Sequence, residues 1–512
     1  MSVLIPLMVA VPLGAGFVMA LLPGSRQRAG DLLAVATGMF VLAGAAALSP
    51  FVGSYAVGGW DPPVGIEMSR DGFSGLVLVV TAIVALAVIL YATASMRRYT
   101  SRTRFLALIM LLLAAMNGTL LSGDIFNRYV FVEIAAIASY VLVGFACGAN
   151  ELKAALKYAV LGAVASIATL LGIALVYSVH GTVNIAHLGE KIAASGPVMA
   201  PDSVVFMAAV LMLAGFTFKA GLMPLHVWQP DALDAATAPV SAIISGCLVQ
   251  TIGVYAMIRT AYAVFGATAP IGWIMVLVGV LSMAGGAIAA LQQDELRRVV
   301  TYTGISQLGY VVCAFGLGGI LASAGNDTAA ALAVLAALFH LANHAVFQSL
   351  LFLNAGAVEY AGGGSGLTKL AGLAGTLSSS AVPPFGGFVS KAMIVIAFVM
   401  AGYYGLAAVA VAVAALIPLA FWRVRSRPEH PESTPRTAAL PAVMTAPLAV
   451  LSALCLAGGL MALPALRSAT FEPAGQSVLR YTSPGTDAEQ GPAATLIPSE
   501  SVEQEEPDEE PD

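Results

Sequence analysis

Five ionisable side chains fall well inside apolar runs of this chain: Glu133, Lys219, His340, His344 and Lys391. A charge held at the centre of a bilayer costs about 2.5–3.5 kcal/mol on insertion scales, so such residues face a bundle interior or a hydrated cavity and mark ion paths. Desolvation disfavours the ionised form of a carboxylic acid or a lysine, and a nearby opposite charge favours it. Groups balanced between those influences exchange protons when a partner approaches or water enters, which is what a proton relay requires. Glu133, in NRYVFVEIAAIASYVLVGF, is read as a carboxylate facing the bundle and pairing with Lys219. A purely structural ion pair, or a polar residue near the interface, is the alternative.

His340 and His344, in FHLANHAVFQSLLF, are four apart and therefore share one helical face. Imidazoles titrate near neutrality, which suits a relay; packing histidines and a metal pair are the competing readings. No HExxH glutamate accompanies them and no nearby acid completes a ligand set, so no metal site is expected. Asn343, Thr303, Ser306 and Gln307 could hold bridging waters beside them. His226, Asp231 and Asp234 lie near the end of the lysine-bearing span and form a candidate proton-uptake region; an interfacial tryptophan, Trp228, and a solvated acidic loop read equally well. Lys391 is read as the terminal lysine that releases a proton outward, against a structural or snorkelling lysine.

The elements that must position these groups are unusual. GFTFKAGLMPLHVWQPDALDAATAPVSAIISG places Lys219 five residues before Pro224, so one span carries both a charge and a helix break. SSSAVPPFGGFVSK repeats the device with Pro383 and Pro384 ahead of Lys391. The amide hydrogen bonds lost at such breaks must be replaced by neighbouring helices, side chains or water, so a broken span lines a cavity more readily than it anchors. Interrupted segments at corresponding places in two halves point to an inverted-repeat transporter with its sites at the breaks.

The rest of the chain suits that reading. Its 512 residues are 59% hydrophobic and 10% charged, with a mean hydropathy of +0.88. Apolar runs of about twenty residues recur along nearly the whole length, the signature of helical spans. They predict an all-α polytopic membrane protein of about fourteen transmembrane helices. The expected divisions are N-terminal helices over 1–104, a first repeat over 105–265, a second over 266–424, a last helix over 425–465 and an acidic disordered tail over 466–512. MSVLIPLMVAVPLGAGFVMALL has no charged start and is read as the first span rather than a cleaved leader. The net charge of −5 owes much to the acids from Glu500 onward. Alternate connections hold Arg26 and Arg28, Arg97 to Arg104, Lys153 and Lys157, Arg297 and Arg298, Lys369, then Arg423 to Arg436. By the positive-inside rule these are cytoplasmic, which puts both termini outside a bacterial-type inner membrane.

Four scattered cysteines, no CxxC pair and no glycine-rich phosphate loop leave nothing to hold an iron–sulfur centre, zinc or nucleotide, so no cofactor is expected. A nucleic-acid partner is not expected either.

Several ordered stretches carry a family resemblance over roughly 65–400. They are GIEMSRDGFSGLVLVVTAIVALAVILY, ELKAALKYAVLGAVASIATLLGIALVYSVHGTVNIAHL, FKAGLMPLHVWQPDALDAATAPVSAIISG, DELRRVVTYTGISQLGY and FHLANHAVFQSLLFLNAGAV. The chain resembles the antiporter-like subunit superfamily shared by respiratory complex I, Mrp-type sodium/proton antiporters and membrane-bound energy-converting hydrogenases. That resemblance implies two inverted five-helix repeats with broken helices seven and twelve, and a line of polar residues at the membrane midplane. It also implies proton translocation, with sodium as a further candidate ion, inside a complex of other membrane subunits. By motif, Glu133 matches the helix-five glutamate, Lys219 the helix-seven lysine, His340 and His344 the helix-eleven histidines, and Lys391 the helix-twelve exit residue. The chain departs where many members carry lysines: it has Thr251 in TIGVY and Gln348 in HAVFQ, neither of which can carry a proton as a cation. A quinone-contacting oxidoreductase subunit and a non-conducting assembly scaffold remain as alternatives.

Overall fold

The computed structural model describes residues 1–23, 25–195, 203–426 and 439–481. The apolar runs fold as helices wherever polar or Gly/Pro punctuation ends them: α1 Leu4–Leu21, α2 Gln27–Leu48, α3 Gly72–Ser95, α4 Arg102–Leu121, α5 Ile125–Val143 and α6 Ala149–His180. A short helix, α7 Ile185–Ala194, precedes α8 Val204–Lys219 and α9 Gln229–Ala235. Then come α10 Ala238–Val264, α11 Ala269–Leu291, α12 Leu296–Ser323 and α13 Asp327–Ala361. The chain continues through α14 Gly366–Ser379, α15 Gly386–Met400, α16 Tyr404–Arg425, α17 Ala442–Ala457 and α18 Pro464–Leu479. Among the described residues, 12 helical segments are long and apolar enough to cross a membrane. The two stretches expected to be broken, around Pro224 and around Pro383 and Pro384, are not completed by one helix: α8 stops at Lys219, and α14 and α15 are separated at 380–385.

A small antiparallel hairpin, β1 Gly53–Ala56 with β2 Glu67–Arg70 and register Gly53↔Arg70, lies between α2 and α3. It pins the loops on its face of the bundle, since Met68 bridges to Ser122 and Asp124 to Asn184. Asp71 starts α3 with a capping box, its carboxylate accepting from the Ser74 amide at 2.9 Å. Asp124 caps α5 through the Asn127 amide at 2.7 Å. Each such bond satisfies a helix-terminal N–H that lipid could not.

The centre of the bundle is α10, whose membrane window is wholly buried, with α12 nearly so. A helix apolar on most of its surface belongs in that position, and its buried polar residues are partnered, Gln250 with His344 and Arg259 with Asp71. Within α10 the hydrogen bonds of Ile244–Tyr255 run in the wider π-helical register, a departure that often marks functional sites. Helices α11 and α12 approach through small residues. A Cβ on Gly279 would stand 2.5 Å from the Cys313 amide nitrogen, and one on Gly309 would stand 2.3 Å from that of Met283. Without a hydrophobic driving force in lipid, this close backbone approach is how membrane helices gain packing energy.

The C-terminal stretch differs from the disordered tail expected from 466. Residues Pro464–Leu479 are helical because Phe471, Ala474 and Val478 form a narrow apolar stripe that is buried. Phe471 meets Phe339 edge-on with ring centres 5.0 Å apart, and the Phe73 amide donates to Ser477 Oγ at 2.9 Å. Overall polarity hid a stripe of three residues sufficient to dock one helix. The acidic end of the tail, and Arg427 and Arg436, lie outside the described residues.

Candidate functional site

The site is built on two helix ends of the same design. At the C-terminus of α8, Gly221 is left-handed (φ +65°) and the Leu222 amide donates back to the Thr217 carbonyl at 3.0 Å. At the C-terminus of α14, Ala381 is left-handed (φ +56°) and the Val382 amide donates to the Leu377 carbonyl at 3.1 Å. Both are Schellman closures, which satisfy carbonyls left open where a helix stops. Pro224 follows the first, Pro383 and Pro384 the second, and none can resume the ladder. A Cβ on Gly221 would come within 2.2 Å of Gln229 Oε1, so glycine is needed for space as well as conformation.

Each helix end holds an ammonium. Lys219 is the last residue of α8, so its charge stands at the negative end of that helix, where a cation is favoured. Lys391 belongs to α15 yet reaches back over the break, and its Nζ donates to the carbonyl of Ser379, the last residue of α14, at 2.7 Å. Counted from the left-handed residue, Ser379 occupies the position that Lys219 occupies in α8. The second break thus receives at its carbonyl the cation that the first carries on its own side chain.

The partners of the two lysines differ. Lys219 Nζ lies 3.0 Å from Glu133 Oε1 on α5 and donates to Ser166 Oγ on α6 at 2.9 Å. Ser166 Oγ is in turn 2.5 Å from Glu133 Oε1. Tyr158 and Trp228 stack almost in parallel, 3.8 Å between centres, and Trp228 Nε1 donates to the Phe218 carbonyl at 2.9 Å, closing the α8 terminus next to the lysine. Among the described residues Lys391 has no acid in ion-pair contact; its ammonium sits 5.0 Å from the centre of the Tyr310 ring, within range of a cation–π attraction.

His340 and His344 are both fully buried. His340 Nδ1 shares a hydrogen bond with Ser390 Oγ at 2.8 Å, which places it next to Lys391 in the chain. His344 Nδ1 shares one with Gln250 Nε2, also at 2.8 Å, on the π-helical part of α10. The ring nitrogen that each bond engages leaves the other for a neighbour. His340 Nε2 and both amide atoms of Gln307 are buried without a hydrogen-bond partner among the described residues. Buried polar atoms of this kind are ordinarily satisfied by internal water. Thr303 and Ser306, by contrast, spend their hydroxyls on the Val300 and Met283 carbonyls.

The two positions that depart from the expected lysines are turned to packing. Thr251 donates to Leu248 within its own helix at 3.1 Å. Gln348 donates to Ser245 Oγ at 3.0 Å and to the Val300 carbonyl at 2.8 Å.

The acids after Pro224 stand apart from this line. Asp231 pairs with Lys157 at 2.7 Å and Arg298 at 3.3 Å, and Asp234 pairs with Arg298 at 3.1 Å. Their charges are answered by basic residues of α6 and α12, which explains why an acidic connection occurs on the arginine-rich face. His226 is half-buried near the Tyr302 ring, 6.1 Å between centres. Ser166, Tyr310, Ser390 and Gln250 escaped the sequence reading of the relay because a polar or aromatic residue in an apolar run shows no facing until the helices are packed.

Comparison with known proteins fixes the family. The family described as NADH:quinone oxidoreductase/Mrp antiporter, TM, matches residues 122–418. The chain belongs to this family. That stretch contains all five candidate relay residues and Ser166. NADH-quinone oxidoreductase subunit N of Desulforudis audaxviator is 32% identical over 78% of this chain and 82% of its own length. A Na(+)/H(+) antiporter subunit of Alkalihalophilus pseudofirmus is 33% identical over 70% of this chain and 72% of its own length. Among solved structures, a chain of the Mrp complex from Dietzia sp. DQ12-45-1b superposes with a TM-score of 0.81 at 27% identity, covering 94% of this chain and 100% of that one. A chain of the membrane-bound sulfane sulfur reductase, an archaeal respiratory membrane complex, gives 0.79 at 25%, covering 94% and 99%. The NADH:quinone oxidoreductase/Mrp antiporter fold therefore extends beyond the matched segment to nearly the whole chain.

Proposed function

We propose that this chain is a proton-translocating subunit of a multisubunit membrane complex, passing protons along Glu133, Lys219, His344, His340 and Lys391. The observation that carries the reading is the pair of equivalent helix breaks, each presenting a buried ammonium at a helix C-terminus, one countered by Glu133 and the other neighboured by a histidine. When water or a conformational change loosens the Glu133 to Lys219 pair, the buried lysine is driven to give up its proton. Gln307 and the free edge of His340 offer sites for water between charged stations.

The two breaks support an inverted-repeat division, roughly 105–265 against 266–424, with about fourteen spans in all. Arginine-rich connections on one face support a bacterial-type inner membrane orientation with both termini outside, and in that orientation His226, Asp231 and Asp234 serve as the proton-uptake side. The relatives named as sodium/proton antiporter and NADH-quinone oxidoreductase subunits support coupling either to an ion gradient, with Na+ as the exchanged ion, or to a redox partner.

The neutral Thr251 and Gln348 favour one other reading, a non-conducting assembly subunit. Replacing Lys219 with alanine in the assembled complex, reconstituted in vesicles, separates the two. Loss of proton movement is expected; unchanged proton movement would leave the assembly role.

A further inference from the structure

We propose that Ser166 is a positioning residue for the relay: a hydroxyl rotor that keeps Lys219 in place when Glu133 lets go. The inference rests on the relay reading above. Three distances make the case. Ser166 Oγ lies 2.5 Å from Glu133 Oε1, 2.9 Å from the Gly162 carbonyl of its own helix and 2.9 Å from Lys219 Nζ. A serine hydroxyl has one proton and two lone pairs, so it can donate to the carboxylate or to the carbonyl, not to both at full strength, while accepting from the ammonium in either state.

Burial says which partner moves. The Lys219 side chain is 1% exposed and that of Glu133 is 24% exposed, so the carboxylate has a route away from the pair and the ammonium has none. Removing one partner of a buried ion pair leaves an uncompensated charge, the costly part of breaking it. With Ser166 present, the departing carboxylate is replaced as hydrogen-bond acceptor for its proton by the Gly162 carbonyl, and the lone pairs of Oγ stay on Lys219. The hydroxyl proton remains on Ser166 throughout. No covalent bond is made or broken; the O–H only turns from one acceptor to the other. Tyr140 packs over this turn so closely that a Cβ on Gly162 would be 2.0 Å from its hydroxyl, which holds the carbonyl's helix against the pair.

The test uses the assembled complex in vesicles, with Lys219→Ala in parallel. Ser166→Ala is expected to slow proton movement about tenfold, corresponding to about 1.4 kcal/mol, with assembly on native gels unchanged. Ser166→Thr, which keeps the hydroxyl, is expected to restore it to within about twofold. In infrared difference spectra the carboxylate band lost in Glu133→Gln is expected to shift in Ser166→Ala and to stay in Ser166→Thr. Wild-type rate and band in Ser166→Ala would overturn the rotor while Lys219→Ala still blocks transport. If Lys219→Ala moves protons normally, it is the relay reading that fails. Loss of assembly in both Ser166→Ala and Ser166→Gly would also overturn the rotor, since the serine would then be a packing element.

Discussion

Lys219 and Glu133 form an ion pair at 3.0 Å in which the lysine is sealed in the bundle and the carboxylate keeps a partly open face. The asymmetry makes the pair costly to break from one side only. Glu133→Gln leaves the ammonium without its counter-charge in a dry site, a loss of about 3–5 kcal/mol for a buried pair. The double variant Glu133→Gln with Lys219→Gln removes both charges, so it is expected to recover thermal stability above the single Glu133→Gln variant without recovering proton movement. Thermal unfolding of the purified complex, set beside vesicle transport, checks the two halves. Equal stability of the single and double variants would mean that no coupling exists.

Trp228 ties the α8 terminus to Tyr158 in two ways, a stack and a hydrogen bond to the Phe218 carbonyl. Trp228→Phe is expected to lose the hydrogen bond alone, about 1 kcal/mol. Trp228→Leu loses the stacked ring as well, about 3 kcal/mol. Since Phe218 precedes Lys219, both are expected to slow proton movement in that order, read from denaturation midpoints and vesicle assays on the same preparations.

Gln348 donates both of its bonds from one nitrogen, to Ser245 Oγ and the Val300 carbonyl. A lysine ammonium is a donor of the same kind. Gln348→Lys is therefore expected to assemble and, where the neutral link limits the rate, to speed proton movement up to about tenfold, or 1.4 kcal/mol off the barrier. A slower complex with normal assembly would show that the link is not limiting.

On the hairpin face, Asp71 joins Arg259 in a buried salt bridge and lies 3.7 Å from Arg480 of the C-terminal segment. Burial by itself would raise the Asp71 pKa, but the Arg259 guanidinium, with the Ser74 amide, outweighs it and holds the carboxyl down at about 2. Because the folded value is depressed, the stabilisation is complete above the ordinary carboxylate pKa of about 3.9 and is lost as the pH falls through about 2. Asp71→Asn is expected to lower stability at pH 7, and the gap from the wild type to narrow between pH 4 and pH 2. A gap that stays constant over that range would remove Asp71 from the account.

The helix-bearing stretches and the candidate relay residues were readable early because hydrophobic runs, prolines and rare charges in apolar runs each have a local cost that shows in one dimension. Lys219 with Pro224, and Lys391 behind Pro383 and Pro384, announced themselves that way. The C-terminal helix did not, because Phe471, Ala474 and Val478 are diluted among polar neighbours and acquire meaning only against Phe339 and Phe73. The acids Asp231 and Asp234 were visible, but their pairing with Lys157 and Arg298 joins residues more than sixty positions apart.

Hydropathy and helical spacing were enough to establish a polytopic α-helical membrane protein, two broken spans and five titratable groups within apolar runs, since insertion energy and helix propagation depend on neighbours along the chain. Partnership was decided by packing. That Ser166 stands between Glu133 and Lys219, that Gln250 and Ser390 take one nitrogen each of His344 and His340, and that Lys391 crosses its break to the Ser379 carbonyl all depend on how separate helices rotate against one another. A side chain's neighbour across a helix interface lies tens of residues away in sequence, and hydrogen bonds act over about 3 Å in space.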